Sequence, residues 1–441
     1  MNLGTSRAAH VAAVETRTEP PVSSEARLYP QPVDALPVTV FDNFWATTLL
    51  FSASLGRQGV PLHFYGNGAG RWSRYRVRHA RCPEVTDAER FIPWLQQRVR
   101  SGEIARVAPT TDLIAYYVSL LREDFSPEVR RTIAPLAEIE NCLIKTRFAA
   151  ACEKIGQATP PTAAPEDPDA AVEAAERIGF PIILKPKSHL VVGSAERGCY
   201  VRDARMLCER FQRYPIEPGQ ELIAACYPEL RWPLLQKYIP SARTRVFSVS
   251  GFKDSDGGIV AASVSCKQRQ WPPDIGVSTS QVSCNDQQIL NAGLRSVDRL
   301  VSRGLFELEL LESGRQLLAI DLNPRAFGFL ALDMALGNDL PWLWFQSTLR
   351  PLPPASLTQI HPVVEARLAI PHAIGQAVAW LCRGAEGEER VRPVKRVPML
   401  GSWHDPLPLV VGNLRLLRHP GSLVRPYLRA ALNARENNSN R

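Results

Sequence analysis

Near the N-terminus, short apolar runs rich in β-branched and aromatic residues alternate with longer stretches of helical periodicity. A strand–helix–strand unit of this length predicts two parallel strands joined by a right-handed crossover. The alternation continues through a further helix and strand, so residues 37–118 are predicted to form an N-terminal α/β domain. The predicted strands are Val38 to Phe41, Pro61 to Tyr65 and Ile104 to Ala108, and the predicted helices are Trp45 to Gln58 and Ala88 to Arg100.

Residues 119–345 contain a second set of elements and are predicted to form a two-lobed domain with a hinge near residues 236–240. An apolar strand in this region leads directly to Lys185-Pro186-Lys187, of which Lys187 is expected to be solvated. The predicted elements are one amphipathic helix over 141–156, a helix from Asp167 to Gly179, strands over 181–184 and 234–239, and a hairpin of 245–250 with 259–267.

A second hairpin contains clustered acidic residues. The run from Leu305 to Leu311 has period two, so Glu307 and Glu309 share one face. Asp321 and Asn323 share a face of the following run. Clustered carboxylates repel one another unless a cation lies among them, and oxygen ligands that include an amide suit Mg²⁺. The alternative is a solvated outer face of the hairpin.

The loop of this hairpin sets the predicted register. If Ser313-Gly314-Arg315 is a three-residue loop with Gly314 in the left-handed region, Glu312 pairs with Gln316. Glu309 is then expected opposite Ala319, and Glu307 opposite Asp321.

The charge balance separates two kinds of basic residue. The chain has 441 residues with 52 Lys and Arg against 44 Asp and Glu, a net charge of +8. Only eight residues are Lys, and all but Lys395 lie between residues 145 and 267. The arginines are scattered, apart from a group between Arg71 and Arg81 around Trp72 that is expected to be a solvated loop. A surface that binds nucleic acid typically has a basic patch with interleaved aromatic residues. Because most of the arginines are scattered, we expect no nucleic-acid partner.

Other features narrow the class of protein. No apolar run is long enough to predict a membrane-spanning helix. The nine cysteines form no C-x-x-C pair, which indicates reduced thiols and a cytoplasmic location. Residues 1–36 are predicted to be a disordered tail, and residues 346–441 a C-terminal extension of helix and loop with a polar tail. The first strand–helix turn, Asp42-Asn43-Phe44, lacks G-x-G-x-x-G, so a dinucleotide oxidoreductase is poorly supported.

Five motifs occur in an order that resembles the ATP-grasp superfamily, closest to its carboxylate–amine ligase and carbamoyl-phosphate-synthase-like branch. The resemblance covers roughly residues 37–345. It implies an ATP-grasp fold, of α/β class with α+β lobes, preceded by a Rossmann-like domain. The motifs are Lys145, Lys185-Pro186-Lys187, Gln236-Lys237-Tyr238-Ile239-Pro240, Glu309 and Asp321-Leu322-Asn323-Pro324-Arg325.

The resemblance also implies a role for each matched residue. ATP is expected to contact phosphate-binding lysines, a flexible loop over residues 188–198 and a hinge strand, namely Lys145, Lys185, Ser188, Gly193, Gln236, Lys237 and Ile239. The implied ligands of Mg²⁺, or of Mn²⁺ as an alternative, are Glu309, Asp321 and Asn323. The implied catalytic residues are Arg325, Lys267 and Arg269.

The implied activity is ATP-dependent ligation. A small-molecule carboxylate is activated as an acyl phosphate and joined to an amine or similar nucleophile, with release of ADP and phosphate. The sequence departs from the pattern at Leu190-Val191-Val192, where small residues are commoner, and shows no obvious carboxylate for the ribose. A non-catalytic ATP-binding module therefore remains the alternative. The acid, the amine and the oligomeric state are left open, as is whether Glu307 also binds metal.

Overall fold

The computed structural model describes residues 36–41, 45–193, 198–271, 276–355, 357, 361–368, 393–399, 405–408 and 410–411. Both predicted tails lie outside the described residues, except for Leu36. The turn Asp42-Asn43-Phe44 lies outside them too.

A four-stranded parallel sheet forms the N-terminal part of the chain. Its elements are strands β1 (Val38–Phe41), β2 (Leu62–Tyr65), β3 (Arg76–Ala80) and β4 (Arg106–Val107), with helices α1 (Trp45–Arg57) and α2 (Ala88–Arg100). The strand order β3-β2-β1-β4 is that of a Rossmann-like sheet, which confirms the predicted fold class for this region. The solvated-loop prediction was wrong for β3. Its arginines are half-buried on an edge strand without a period-two pattern, so the strand gave no signal in the sequence.

A group of helices links this sheet to the rest of the chain. They are α3 (Asp112–Leu120), α4 (Pro127–Arg130), α5 (Leu136–Leu143) and α6 (Lys145–Lys154). The single helix predicted over 141–156 was wrong, because the buried Ile144 has extended backbone and separates α5 from α6. Lys145 therefore begins a new helix, and its backbone N–H donates to the Lys187 carbonyl at 2.9 Å.

A small antiparallel sheet follows, with strand order β5-β8-β6-β7. Its elements are β5 (Thr162–Ala163), α7 (Pro168–Ile178), β6 (Ile182–Pro186), β7 (Cys199–Val201), α8 (Ala204–Arg210), α9 (Glu221–Cys226) and β8 (Pro233–Lys237). Helix α7 confirms its predicted start, since the Asp167 carboxylate accepts from the Ala170 N–H at 2.8 Å. Gly179 ends the helix with a φ of +80°, which favours glycine.

A seven-stranded sheet of order β13-β12-β9-β10-β11-β14-β15 is the largest element. Its elements are β9 (Val246–Lys253), β10 (Ile259–Trp271), β11 (Val277–Cys284), α10 (Gln287–Leu300), β12 (Gly304–Ser313), β13 (Gln316–Asn323), α11 (Leu330–Ala335), α12 (Leu340–Ser347), β14 (Val364–Arg367) and β15 (Lys395–Pro398). The hairpin of β9 with β10 is confirmed. The C-terminal extension was predicted as helix and loop, whereas β14 and β15 add two strands to the sheet edge.

The two faces of the large sheet differ in polarity. One face is apolar and packs on α10 through residues such as Phe247, Val249 and Leu308. The other face is apolar near Phe252 and Leu305, where it meets the N-terminal sheet. It becomes polar farther along β9, β10 and β12, at buried residues that include Ser248, Ser250, Ser263, Ser265 and Glu307. This polar part of the sheet is the floor of the site described below. The division into domains stays a prediction.

Candidate active site

The predicted acidic hairpin forms, but with a different register. Ser313 pairs with Gln316, so the loop is Gly314-Arg315, shorter by one residue than expected. A bulge after Ala319 then absorbs Ile320, and Glu309 lies opposite Asp321. The predicted pairs of Glu309 with Ala319 and of Glu307 with Asp321 were wrong. A shift of one residue turns side chains to the other face. The bulge is what keeps Asp321 on the same face as Glu309.

Three lysines from three elements converge on this face. Lys145, at the start of α6, donates to the Asp321 Oδ1 atom at 2.9 Å. Lys267 of β10 donates to the Glu309 Oε1 atom at 2.7 Å. Lys185 of β6 belongs to the same group, because the charges of Lys145, Asp321 and Glu309 all shift its pKa. The structure thus brings together residues from the hairpin, the large sheet, the small sheet and α6.

The ionisation of these groups follows from burial and pairing. Burial alone would raise the pKa of Asp321, but the charges of Lys145, Lys185 and Arg325 outweigh it and hold that pKa below its ordinary value. Burial likewise opposes the charge of Lys267, but Glu309 and Glu307 raise its pKa overall. For Lys185, the charges of Asp321 and Glu309 oppose burial without outweighing it. Burial and the neighbouring charge of Lys145 lower its pKa to about 8.

Arg325 lies at the end of the acidic hairpin and is held by a residue that sequence reasoning missed. Its Nε atom donates to the Asp112 Oδ1 atom at 2.5 Å, and Asp112 is the first residue of α3. Burial alone would lower the pKa of Arg325, but the Asp112 carboxylate outweighs it and raises that pKa above its ordinary value. Asp112 carried no signal in the sequence, because it lies in the N-terminal part of the chain and far from any motif.

Glu307 is buried beside these groups and accepts two hydrogen bonds. The Ser248 hydroxyl donates to its Oε1 atom at 2.9 Å, and the Asn323 amide nitrogen donates to its Oε2 atom at 3.0 Å. Burial and the neighbouring charge of Glu309 raise the pKa of Glu307 above its ordinary value.

The other residues that were predicted to contact the nucleotide lie in different surroundings. Gln236 of β8 accepts from the Lys185 ammonium at 2.9 Å, which brings the two together. The Lys237 ammonium instead donates to the Gly179 carbonyl at 2.7 Å, on the far side of β6. Ile239 packs with a small apolar cluster around Val246 and Leu311. Arg269 is half-buried on β10, where the pairing with β11 is irregular.

The segment predicted as a flexible phosphate loop is anchored in its described half. Leu190, Val191 and Val192 have no exposed surface and belong to the same apolar cluster as Phe91 and Tyr117 of the N-terminal part. Ser188 is buried and accepts from the Leu190 N–H at 3.2 Å. Gly193 lies against Glu217, whose carboxylate would clash with any Cβ there. Residues 194–197 lie outside the described residues.

Lys187 is also buried, with 1% of its surface exposed, so the expectation of a solvated side chain was wrong. Its ammonium lies 3.9 Å from the Glu166 carboxylate. Burial lowers its pKa, which Glu166 and Glu229 only partly oppose.

The hairpin residues fit a cation that is shared with phosphate. Within the described ranges, no group of three or more His, Cys, Asp and Glu side chains is arranged to hold a metal by itself. Glu309, Asp321 and Asn323 supply two carboxylates and one amide on one face. Mg²⁺ is usually bound through one or two carboxylates together with substrate phosphates, and it rarely occupies an all-protein cage. The donor set is therefore appropriate for a magnesium–nucleotide complex.

The search against family models gave no match. Among curated proteins, the carbamoyl phosphate synthase large chain of Pyrococcus furiosus is 30% identical over 201 residues, which cover 43% of this chain. The match spans only 17% of that relative's length.

Solved structures match a larger part of the chain at low sequence identity. A biotin carboxylase complex with β,γ-ATP from Campylobacter jejuni is 14% identical with a TM-score of 0.58, covering 74% of this chain and 73% of that one. The biotin carboxylase domain of Hydrogenobacter thermophilus 2-oxoglutarate carboxylase, with MgADP and bicarbonate, is 13% identical with a TM-score of 0.59, covering 75% and 74%. An L-amino acid ligase from Bacillus licheniformis is 15% identical with a TM-score of 0.53, covering 73% and 76%.

These likenesses confirm the fold that the ordered motifs predicted. No helix in the described part of the chain is long and apolar enough to cross a membrane. The chain therefore has an ATP-grasp fold and, over 201 residues, resembles the carbamoyl phosphate synthase large chain.

Proposed function

We propose that this protein is an ATP-dependent ligase that activates a small-molecule carboxylate and joins it to an amine or similar nucleophile. One observation carries the proposal. Two carboxylates and an amide lie on one sheet face, surrounded by Lys145, Lys185, Lys267 and Arg325 from separate elements. Binding alone does not need this arrangement. The names of the relatives, which include a synthase, carboxylases and a ligase, support it.

In the proposed reaction, a carboxylate oxygen of the acid attacks the γ-phosphorus of ATP. The bond from that phosphorus to the bridging oxygen breaks, and ADP leaves. The amine nitrogen then attacks the acyl carbon, phosphate leaves and the amine loses a proton to water. Lysine and arginine side chains stabilise the negative charge that gathers on the phosphoryl oxygens in such transfers.

The residues have separable roles in this scheme. Lys145 and Lys185 bind phosphate, while Lys267, Arg269 and Arg325 contact the transferred group or the acid. Glu309, Asp321 and Asn323 hold Mg²⁺, or Mn²⁺ in its place, which neutralises phosphate charge when it is bound. Gln236 and Ile239 belong to the hinge strand that holds adenine. Lys237 contributes there by its backbone, because its ammonium is bound to the Gly179 carbonyl.

The paired state of the lysines supports a nucleotide-dependent rearrangement. Lys145 and Lys267 each bond a carboxylate that the proposal assigns to the metal. With a nucleotide bound, Lys145 and Lys267 would bond phosphate oxygens, and Glu309 and Asp321 would hold the cation. Each ion pair would then be replaced by another, so little charge would be left unpaired.

The test is ADP release on a panel of carboxylic acids, each with a panel of amines. The proposal predicts ADP release that needs both substrates, with an amide product whose mass is the sum of the two minus water. Glu309→Gln is expected to abolish it, whereas Glu312→Gln on the same strand is the matched control. ATP binding without turnover on any pair, and unchanged in Glu309→Gln, would instead favour a non-catalytic ATP-binding module.

The buried Leu190-Val191-Val192 segment is the observation that favours that alternative, because a phosphate loop is expected to move. The same panel decides between the two. A location in the cytoplasm is part of the proposal and is supported by the free thiols of the eight described cysteines.

A further inference from the structure

On the face of the hairpin that carries Glu309 and Asp321, Glu307 is the one described acidic residue that the proposed function leaves without a role. It lies on the same face as Glu309 and is only 3% exposed. Both of its carboxylate oxygens already accept hydrogen bonds, one from Ser248 and one from Asn323. Each oxygen of Glu307 is therefore already bonded to a protein donor.

The Asn323 side chain is oriented by this contact. The structure places the Asn323 amide nitrogen, and not the amide oxygen, against Glu307. The Nδ2 atom lies 3.0 Å from the Glu307 Oε2 atom. The Asn323 Oδ1 atom consequently points away from Glu307. Without that contact, the amide is free to rotate by half a turn and present its N–H groups to the cation.

Ser248 completes the arrangement from a neighbouring strand. It is fully buried on β9, directly opposite Glu309, and its hydroxyl holds the second oxygen of Glu307. The two donors thus bond Glu307 at once, one at each oxygen.

We propose that Glu307 is a positioning residue that fixes the Asn323 amide with its oxygen toward the metal, and is not itself a metal ligand. This inference rests on the proposed function, because it assigns Asn323 to the cation. Partners that orient a metal ligand affect metal affinity by about 10–100-fold when they are removed. The effect of Glu307 is then transmitted entirely through Asn323.

The test is a double-mutant cycle on nucleotide binding. The dissociation constant of a non-hydrolysable ATP analogue is measured by calorimetry with Mn²⁺ and with EDTA, and the ratio of the two reports the metal. Glu307→Leu, which removes both acceptor oxygens and so frees the Asn323 amide to turn, is expected to reduce this ratio about tenfold in the wild-type background. In an Asn323→Ala background, the same change should have less than about a twofold effect, because the ligand that it orients is gone.

A swap of donor and acceptor gives an independent readout. In the Glu307→Gln, Asn323→Asp double variant, the glutamine amide donates to the new carboxylate, whose second oxygen still faces the cation. The net charge is unchanged. Most of the Mn²⁺ effect that Glu307→Leu loses should return, and so should the urea midpoint if Glu307→Leu lowers it. Glu312→Gln, at the exposed end of the same strand, is the control and should leave the ratio unchanged.

Two results would overturn the inference. An equal loss from Glu307→Leu with and without Asn323 would make Glu307 a ligand in its own right. An absence of rescue by the swap would show that the contact with Asn323 is not what matters. Failure of the proposed function gives a different result. If Asn323 does not bind the metal, Asn323→Ala should show the same Mn²⁺ effect as the wild-type protein.

Discussion

Replacing Lys185 with Met should make the nucleotide-free protein more stable at neutral pH. Burial and the charge of Lys145 lower the pKa of Lys185 from an ordinary value of 10.5 to about 8. A shift of that size corresponds to about 3 kcal/mol against the charged form in the folded state. Met has a similar unbranched stem and no charge. Losing the hydrogen bond to Gln236 costs about 1 kcal/mol, which leaves a net gain of about 2 kcal/mol.

The pH dependence of this difference has a defined sign. The folded-state pKa of Lys185 lies below the unfolded-state pKa, so the penalty is complete below about pH 8. It fades as the pH rises from about 8 toward 10.5, where the folded protein holds an uncharged lysine. The stability advantage of Lys185→Met is therefore expected to fall from about 2 kcal/mol at pH 7 to near zero at pH 10.

The assay is urea denaturation of the wild type, Lys185→Met and a Lys395→Met control at both pH values. Lys395 is an exposed residue of β15, and its replacement should change stability by less than about 0.5 kcal/mol. The reasoning is refuted if Lys185→Met is less stable than the wild type at pH 7. It is also refuted if the difference between the two proteins is the same at both pH values.

Three further changes test other contacts. Lys145→Met removes the charge that lowers the pKa of Asp321. The lowered pKa stabilises the folded protein above the ordinary value of 3.8, and this stabilisation is lost as the pH falls below it. The acid-unfolding midpoint, measured by circular dichroism, should therefore move to higher pH, and an unchanged midpoint would count against the pairing. Leu190→Ala should lower the free energy of unfolding by about 2–4 kcal/mol in urea, since the side chain is fully buried, whereas a loss below about 1 kcal/mol would mean that the segment is not anchored. Asp112→Asn should leave nucleotide affinity nearly unchanged and lower turnover at least about tenfold, because Arg325 loses the group that positions it; equal losses in both would show a general loss of structure.

The sequence was most informative where a residue's chemistry and its place in a strand coincide. Lys185 was predicted at the end of an apolar strand, and β6 delivers it there. Glu309 and Asp321 were predicted on one face from their period-two spacing. They do lie together, but through a shorter loop and a bulge. The shorter loop and the bulge each shift the pairing by one residue, and the total shift of two leaves both side chains on the predicted face. Neither the loop length nor the bulge has a sequence pattern that reveals it.

The sequence was least informative about contacts between distant segments. Asp112 and Arg325 are far apart in the chain, and nothing local in either indicates the other. In the sequence, Leu190 to Val192 were noted as large residues where a phosphate loop more commonly has small ones. The reason is their burial in one apolar cluster with residues of the N-terminal part, which depends on tertiary packing. Lys187 was expected in solvent because isolated lysines rarely pack inside a protein.

The transfer of an oxygen isotope tests the central claim most directly. Once the ADP-release panel identifies an acid, that acid is supplied with ¹⁸O in its carboxylate, together with ATP and the amine. Formation of an acyl phosphate predicts that one ¹⁸O atom appears in the released phosphate for each amide formed, as measured by mass spectrometry. Amide formation with unlabelled phosphate would contradict the proposed activation of the carboxylate by ATP.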